Sequence, residues 1–91
     1  MKTIWKYNLK IDDEQVVNLP KNAEILTVQN QQGNPCLWAL VSPIKETEPR
    51  IIVCRGTGHD INFRNFTLQY ISSAQFYDGD IVFHYFEKLP I

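Results

Sequence analysis

The chain has 91 residues, with nine Lys and Arg against ten Asp and Glu, giving a net charge of −1. This length is enough for one hydrophobic core, but too short for a two-domain cleft around an elaborate cofactor. The near-neutral charge argues against a global positive field that would attract duplex nucleic acid. With 44% hydrophobic and 21% charged residues, the composition is that of a folded globular protein. We therefore expect one domain over residues 1–91.

Strand-like runs rich in β-branched and aromatic residues recur along the whole chain. Turn-forming residues predict one hairpin at Gln31–Asn34 and another at Asp78-Gly79. Only Asp60–Asn65 leaves room for a helical turn. The predicted strands, in chain order, are Thr3–Leu9, Gln15–Leu19, Ala23–Val28, Cys36–Val41, Ile51–Cys54, Phe66–Phe76 and Ile81–Phe86.

Three of these strands, Cys36–Val41, Ile51–Cys54 and Ile81–Phe86, are apolar on both faces. A sheet with one wet face should instead alternate apolar and polar residues. The predicted fold is therefore all-β and mainly antiparallel, a small β-sandwich or partly open barrel with at most one short helical turn. Either two sheets cover each other, or a second copy covers the other face, and a homo-oligomer is predicted.

The loop Gly56-Thr57-Gly58-His59, which follows Arg55, carries the most distinctive side-chain chemistry in the sequence. Two glycines around a threonine allow a backbone that presents N–H groups, a hydroxyl and an imidazole together, and this combination suits an anion or phosphate. The structural alternative is a simple turn between strands. On the ligand-binding hypothesis, the loop and Arg55 hold the phosphate of a small ligand.

Other side chains have both structural and functional interpretations. Trp5, Tyr7 or Trp38 could stack on the base of a nucleotide, although Trp38 is predicted to lie in the core because apolar residues flank it. His84 is interpreted as a hydrogen-bonded structural histidine. Arg64 could bind an anion or remain a solvated surface residue.

No residue pattern indicates an enzyme or a metal site. The sequence has no nucleophile elbow and no His–Cys spacing for zinc, so we predict no catalytic residues, metal or cofactor. The enzymatic alternative is phosphodiester hydrolysis by His59 and Asp60. Cys36 and Cys54 lie in apolar runs and are predicted to be buried free thiols. No run approaches a signal-peptide core or a membrane span, which favours a cytosolic protein.

Five ordered segments, which together span nearly the whole chain, form a recognisable pattern: TIWKY (3–7), LPKxAxILxV (19–28), PCLWALV (35–41), GTGH (56–59) and VFHxF (82–86). This pattern resembles a family of small uncharacterised proteins from tailed bacteriophages. The resemblance brings no functional residues with it. It implies a phage accessory protein that works in the cytoplasm of the host bacterium.

By analogy, such accessory proteins include counter-defence proteins that capture the nucleotide signals of bacterial immunity. The main hypothesis is that this protein sequesters a nucleotide-type immune signal in a pocket near Gly56–His59, with Arg55, Trp5 and Tyr7 as further ligand contacts. The alternative is a phage inhibitor that binds a host protein through exposed apolar strand faces and takes no small ligand.

Overall fold

The computed structural model describes residues 1–62 and 66–90. Over these residues the chain folds into strands and contains no helix, so the all-β prediction is confirmed. The strands are β1 (Thr3–Asn8), β2 (Glu14–Pro20), β3 (Glu24–Gln31), β4 (Asn34–Val41), β5 (Thr47–Gly56), β6 (Phe66–Phe76) and β7 (Ile81–Pro90).

The segment predicted to have room for a helical turn, Asp60–Asn65, is described only in part. Asp60–Asn62 have no regular secondary structure, and residues 63–65, which include Arg64, lie outside the described residues. The described residues include no helix long and apolar enough to cross a membrane.

The strands form a three-stranded sheet, in the order β1-β4-β3, and a four-stranded sheet, in the order β2-β5-β7-β6. Every strand pair is antiparallel, and the sheets do not close into a barrel. The Cα atoms extend over 39 × 35 × 16 Å. The thin dimension accommodates two sheets packed about 10 Å apart. Both sheets therefore keep one broad outer face, because the sandwich buries only their inner faces.

Strand β4 shows how the apolar sequence divides between the two faces of its sheet. Leu37, Ala39 and Val41 alternate along the strand and are buried in the core. Trp38 and Leu40 therefore point to the outer face, where they are only partly buried. The prediction that Trp38 lies in the core is wrong, because its two apolar neighbours belong to the opposite face.

Both predicted hairpins are present, and positive φ values set their turns. In the β3–β4 turn, Gln32 (φ 54°) and Gly33 (φ 89°) take the left-handed conformation. In the β6–β7 turn, positive φ begins one residue before the predicted pair, at Tyr77 (φ 53°), and continues through Asp78 and Gly79. In the two-residue β3–β4 turn, two successive positive φ values match the right-handed twist of the flanking strands. The β6–β7 loop is longer, with four residues between Phe76 and Ile81.

The two sheets are joined along strands β3 and β6 by side chains rather than by a backbone ladder. The Ser72 hydroxyl accepts a hydrogen bond from Val28 N–H at 2.9 Å and donates one to Val28 C=O at 2.7 Å. Asn30 Nδ2 donates to Gln75 C=O at 2.9 Å. We call this line of contacts the β3–β6 seam. The register shift between Tyr70 and Ser72 lies next to Ser72, at one end of the seam, where a bulge re-aims a side chain.

A buried ion pair lies on the same flank of the sandwich as the β3–β6 seam. Arg50 on β5 donates two hydrogen bonds to the Glu87 carboxylate on β7, and its Nη1 donates to Ala23 C=O at 2.9 Å. Glu87 is 6% exposed, so its charge is compensated by the guanidinium rather than by water. Ala23 leads into β3, so the pair connects the four-stranded sheet to the other sheet.

Both cysteines are buried free thiols, as predicted. Cys54 and Tyr85 are cross-strand partners in the core. Burial raises the pKa of the Cys54 thiol above its ordinary value of 9.0 and raises the pKa of Tyr85 above 10.0.

We expect Ser72→Ala to lower the free energy of unfolding by about 1–3 kcal/mol, because it removes both hydrogen bonds to Val28 and leaves two backbone groups without their partner. Urea denaturation measures the change. Thr67→Ala, at an exposed position of the same strand, is the control and should stay within about 0.5 kcal/mol of wild type. An equally small effect of Ser72→Ala would mean that the seam does not depend on this hydroxyl.

We also expect the protein to lose stability in alkaline solution. The Cys54 and Tyr85 pKa values are higher in the folded than in the unfolded state, so the unfolded chain releases these protons first. Their stabilising contribution is complete below about pH 9 and is lost as pH rises through the folded-state values. Urea denaturation between pH 7 and 11 should show this fall. The double variant Cys54→Ala/Tyr85→Phe should have a flatter profile, and an unchanged slope would contradict the assignment.

Candidate functional site

The Gly56–His59 loop closes on itself at the end of β5. The His59 imidazole lies over Gly56, whose N–H donates to His59 Nδ1 at 3.3 Å, and His59 N–H donates to Gly56 C=O at 3.1 Å. A Cβ atom at position 56 would lie 2.8 Å from His59 Cε1. Glycine is therefore needed at position 56 to allow close approach of the imidazole ring.

The backbone donors of this loop are largely occupied within the protein. Thr57 N–H donates to Val82 C=O at 3.3 Å, and the N–H groups of Gly56 and His59 have the partners described above. Gly58 has a φ of +85°, as a left-handed turn requires. Ligand contacts beside the loop therefore depend on side chains rather than on the backbone N–H groups that the sequence pointed to.

A continuous row of hydroxyl and imidazole groups runs from the loop across β7 to β6. Thr57 Oγ1 lies 2.7 Å from His84 Nε2, Ser73 Oγ lies 2.7 Å from His84 Nδ1, and Tyr70 OH lies 2.8 Å from Ser73 Oγ. We call Thr57, His84, Ser73 and Tyr70 the polar row. A neutral imidazole donates from one nitrogen and accepts at the other, and hydroxyls do either. The row can therefore satisfy all its members with protons oriented in either direction.

Arg55 extends the polar row by one strand. It is the cross-strand partner of His84, and partners in an antiparallel pair project from the same face. Its Nη1 donates to Asp13 C=O at 3.0 Å and to Cys54 C=O at 2.8 Å. Among the described residues, these are its only side-chain hydrogen bonds, which leaves Nε and Nη2 as donors. The outer face of the four-stranded sheet thus combines a cation, an imidazole and three hydroxyls.

Two concavities lie near this face. One has a volume of about 300 Å³ and is lined in part by Asp80. The negative charge of Asp80 disfavours the binding of a phosphate there. The other, of about 140 Å³, includes Arg55 and Lys88. Lys88 Nζ lies 3.2 Å from Glu14 Oε1 and 3.9 Å from the centre of the Phe66 ring. The lining of the first is Gly56, Thr57, His59, Asp80, Ile81, Val82 and Phe83; that of the second is Glu14, Val53, Arg55, Asn62, Phe66, Leu68 and Lys88.

The structure does not bring all of the predicted site residues together. Arg55 and Thr57 lie on one face of the four-stranded sheet, each next to His84, and His59 lies two residues after Thr57 in the loop. Trp5 and Tyr7 lie on β1 of the other sheet and line neither concavity. Tyr7 packs against the core, and burial raises its pKa.

Tyr70 and Ser73 belong to the polar row, but the sequence analysis did not single them out. Tyr70 is 59% exposed, and its ring contacts Phe86 edge-on with 5.7 Å between centroids. The signal was present in the hairpin: counting back from the β6–β7 turn pairs Ser73 with His84. His84 is the hydrogen-bonded histidine that was predicted, but both its partners are side chains of this outer face.

Among residues 1–62 and 66–90, no three His, Cys, Asp or Glu side chains form a cluster that could hold a metal ion. A family model described as "Domain of unknown function (DUF7352)" matches residues 1–90. No curated protein and no solved structure matches the chain.

We expect Gly58→Ala to cost about 1–2 kcal/mol of stability, because alanine resists the φ of +85° while no atom lies within 4 Å of the added Cβ. Gly58→Asn should cost less, since asparagine tolerates this conformation better, and Gly58→Val should cost more. Urea denaturation of the three variants gives the order. Equal losses for Ala, Asn and Val would show that φ at this position is not the determining factor.

Proposed function

The chain belongs to the DUF7352 family, and we propose that it is a non-enzymatic binding protein for a nucleotide-type ligand on the outer face of its four-stranded sheet. The observation that carries the proposal is the alignment of Arg55 with the polar row beside the Gly56–His59 loop. The ligand class follows from three chemical groups on one face: a guanidinium, a row of hydrogen-bonding hydroxyls and an exposed aromatic ring.

The phosphate of the ligand would bind at Arg55. Two hydrogen bonds from Nη1 to backbone carbonyls hold the guanidinium in place, so little further side-chain freedom is lost on binding. The remaining Nε and Nη2 donors have the fork geometry that suits a phosphate or carboxylate. Thr57 is joined to the same region through His84 and supplies a hydroxyl donor.

The base of the ligand would stack on Tyr70. This ring is 59% exposed and is held edge-on by Phe86, while its hydroxyl is fixed by Ser73. Stacking of a base on an aromatic side chain contributes about 1–3 kcal/mol. Tyr70 would thus take the role that the sequence suggested for Trp5, Tyr7 or Trp38. Ser73 lies between the aromatic ring and Arg55. Both nitrogens of its neighbour His84 are already bonded, so a sugar hydroxyl would donate to the remaining lone pair of Ser73 Oγ.

The sequence resemblance to phage accessory proteins supplies a biological setting for this proposal. A protein that binds a nucleotide without converting it lowers the free concentration of that nucleotide. In the cytoplasm of an infected bacterium, the same binding would withdraw an immune signal from its receptor. The proposal therefore concerns sequestration, and the rate of ligand release matters more than any chemical step.

We expect a panel of linear and cyclic mono- and dinucleotides, tested by isothermal titration calorimetry, to include at least one that binds wild-type protein. Arg55→Ala should weaken that binding by about 10- to 100-fold, because it removes charge-assisted hydrogen bonds of roughly 1.5–3 kcal/mol. Tyr70→Leu should weaken it by about 5-fold or more through lost stacking. His59→Ala tests whether the loop imidazole also contacts the ligand.

Two matched variants separate binding from general effects. Lys45→Ala removes an exposed cation from a distant loop, and Tyr77→Leu removes an exposed tyrosine from the hairpin tip. Both should leave the affinity unchanged. Absence of binding for every nucleotide in the panel, or equal loss in the control variants, would contradict the proposal. Co-elution with one host polypeptide in place of any nucleotide would favour the inhibitor alternative.

A further inference from the structure

The smaller concavity on the outer face of the four-stranded sheet has two cations in its lining, Arg55 and Lys88. Lys88 lies four residues from His84 on β7, and His84 is the cross-strand partner of Arg55, so all three side chains project from the same face. The carboxylate in the lining belongs to Glu14, which pairs with Lys88. Arg55 has no carboxylate partner among residues 1–62 and 66–90. The concavity therefore has one positive charge in excess.

Lys88 is held in place independently of Glu14. Its Nζ lies 3.9 Å from the centre of the Phe66 ring, and its side chain is only 19% exposed, which favours attraction between the cation and the ring. The Glu14 side chain is 46% exposed, and its only hydrogen bonds to the described residues are those from Lys88, at 3.2 and 3.5 Å. An ion pair with one partner exposed in this way contributes little to stability. An incoming anion would therefore displace the Glu14 carboxylate into water while Lys88 stays where it is.

The size of the concavity restricts what enters it. Its volume of about 140 Å³ is below the roughly 300–1,000 Å³ of most small-molecule sites, so it admits a small anionic group but not a whole nucleotide. Val53, Phe66 and Leu68 supply apolar surface to its lining, and Val53 is 1% exposed. An anion bound here would be partly withdrawn from water, where its attraction to a cation is stronger.

We propose that this concavity is a phosphomonoester site, in which a terminal phosphate binds between Arg55 and Lys88 in place of the Glu14 carboxylate. A phosphomonoester has close to two negative charges at neutral pH and so matches the two cations. A phosphodiester has one negative charge, which Arg55 alone compensates, and it would leave Glu14 on Lys88. Lys88 and Glu14 thus determine which class of nucleotide binds, whereas the identity of the rest of the ligand, a nucleoside extending toward Tyr70, rests on the proposed function.

Two small probes that differ by one methyl group and one charge test the pocket without any nucleoside. We expect methyl phosphate, titrated at pH 7.5 and constant ionic strength, to shift the backbone amide signals of Arg55, Asn62 and Lys88 in nuclear magnetic resonance spectra, with a dissociation constant in the millimolar range. Dimethyl phosphate should bind at least about 5-fold more weakly. Equal affinities for the two probes, or no saturable shift of these signals up to roughly 50 mM methyl phosphate, would overturn the proposal.

Substitutions at the two specificity positions test the charge matching. Lys88→Gln should weaken methyl phosphate binding by about 5- to 20-fold and remove the preference over dimethyl phosphate, whereas Lys88→Arg should retain that preference. Glu14→Gln removes the competing charge and should strengthen methyl phosphate binding by about 3-fold or more. Lys45→Ala is the control for a lost exposed cation and should change neither affinity. Circular dichroism and the thermal midpoint check that each variant folds as wild type does.

The outcomes separate this proposal from the proposed function. A preference for methyl phosphate that persists in Lys88→Gln, or a Glu14→Gln variant that binds no more tightly than wild type, would overturn the phosphomonoester site even if a nucleotide binds in a manner that depends on Arg55 and Tyr70. Conversely, the expected behaviour of both probes, together with no binding of any nucleotide, would support the phosphate pocket and contradict the nucleotide as its ligand.

Discussion

The relative placement of the two sheets depends on polar contacts along one flank. The Ser72 hydroxyl both accepts from and donates to the backbone of Val28, so a single side chain substitutes for a strand partner. The Arg50–Glu87 pair, through Ala23 C=O, fixes the entry to β3 on the same flank. Hydrogen bonds are directional, whereas apolar packing is not. Hydrophobic burial alone would allow the two sheets to slide past each other, and these hydrogen bonds select one alignment. The opposite flank lacks such a join among the described residues, and β1 is left there as an edge.

In the proposed site, the side chains that would bind the ligand also hold the local structure together. Arg55 ties the Asp13 turn to the end of β5 with Nη1, and no side-chain hydrogen bond to the described residues uses its Nε or Nη2. His84 is fully occupied by Thr57 and Ser73, which holds its ring in place. Because the row is already assembled, a ligand would not have to order it, and less of the binding free energy would be spent on conformational entropy.

The fold followed from the sequence because its signals were local. Gly33 and Asp78-Gly79 specified the two hairpins, and the doubly apolar strands indicated either two packed sheets or a second copy over the other face, of which the structure shows two sheets. The candidate site could be predicted only in part, because it depends on register. Trp38 faces outward because its neighbours Leu37 and Ala39 face the core. Arg55, His84 and Ser73 lie side by side only because three strands, β5, β7 and β6, pair in one particular register. Composition and spacing along one strand contain no information on such long-range pairing. The bulge at Ile71, which sets Tyr70 apart from Ser72, was equally invisible from local pattern.

The order of strands along the chain differs from their order in the sheets. This difference affects how the chain folds while it is being synthesised. Strands β1 and β2 leave the ribosome first, yet they pair with β4 and β5, which are synthesised later. Only the β3–β4 and β6–β7 hairpins form from neighbouring segments, so these are expected to form early, while the longer loop closures come later. Until residue 41 has emerged, the apolar first strand has neither of its edges covered. Until then this apolar strand is exposed to aggregation, and slow synthesis between residues 8 and 41 would prolong that exposure.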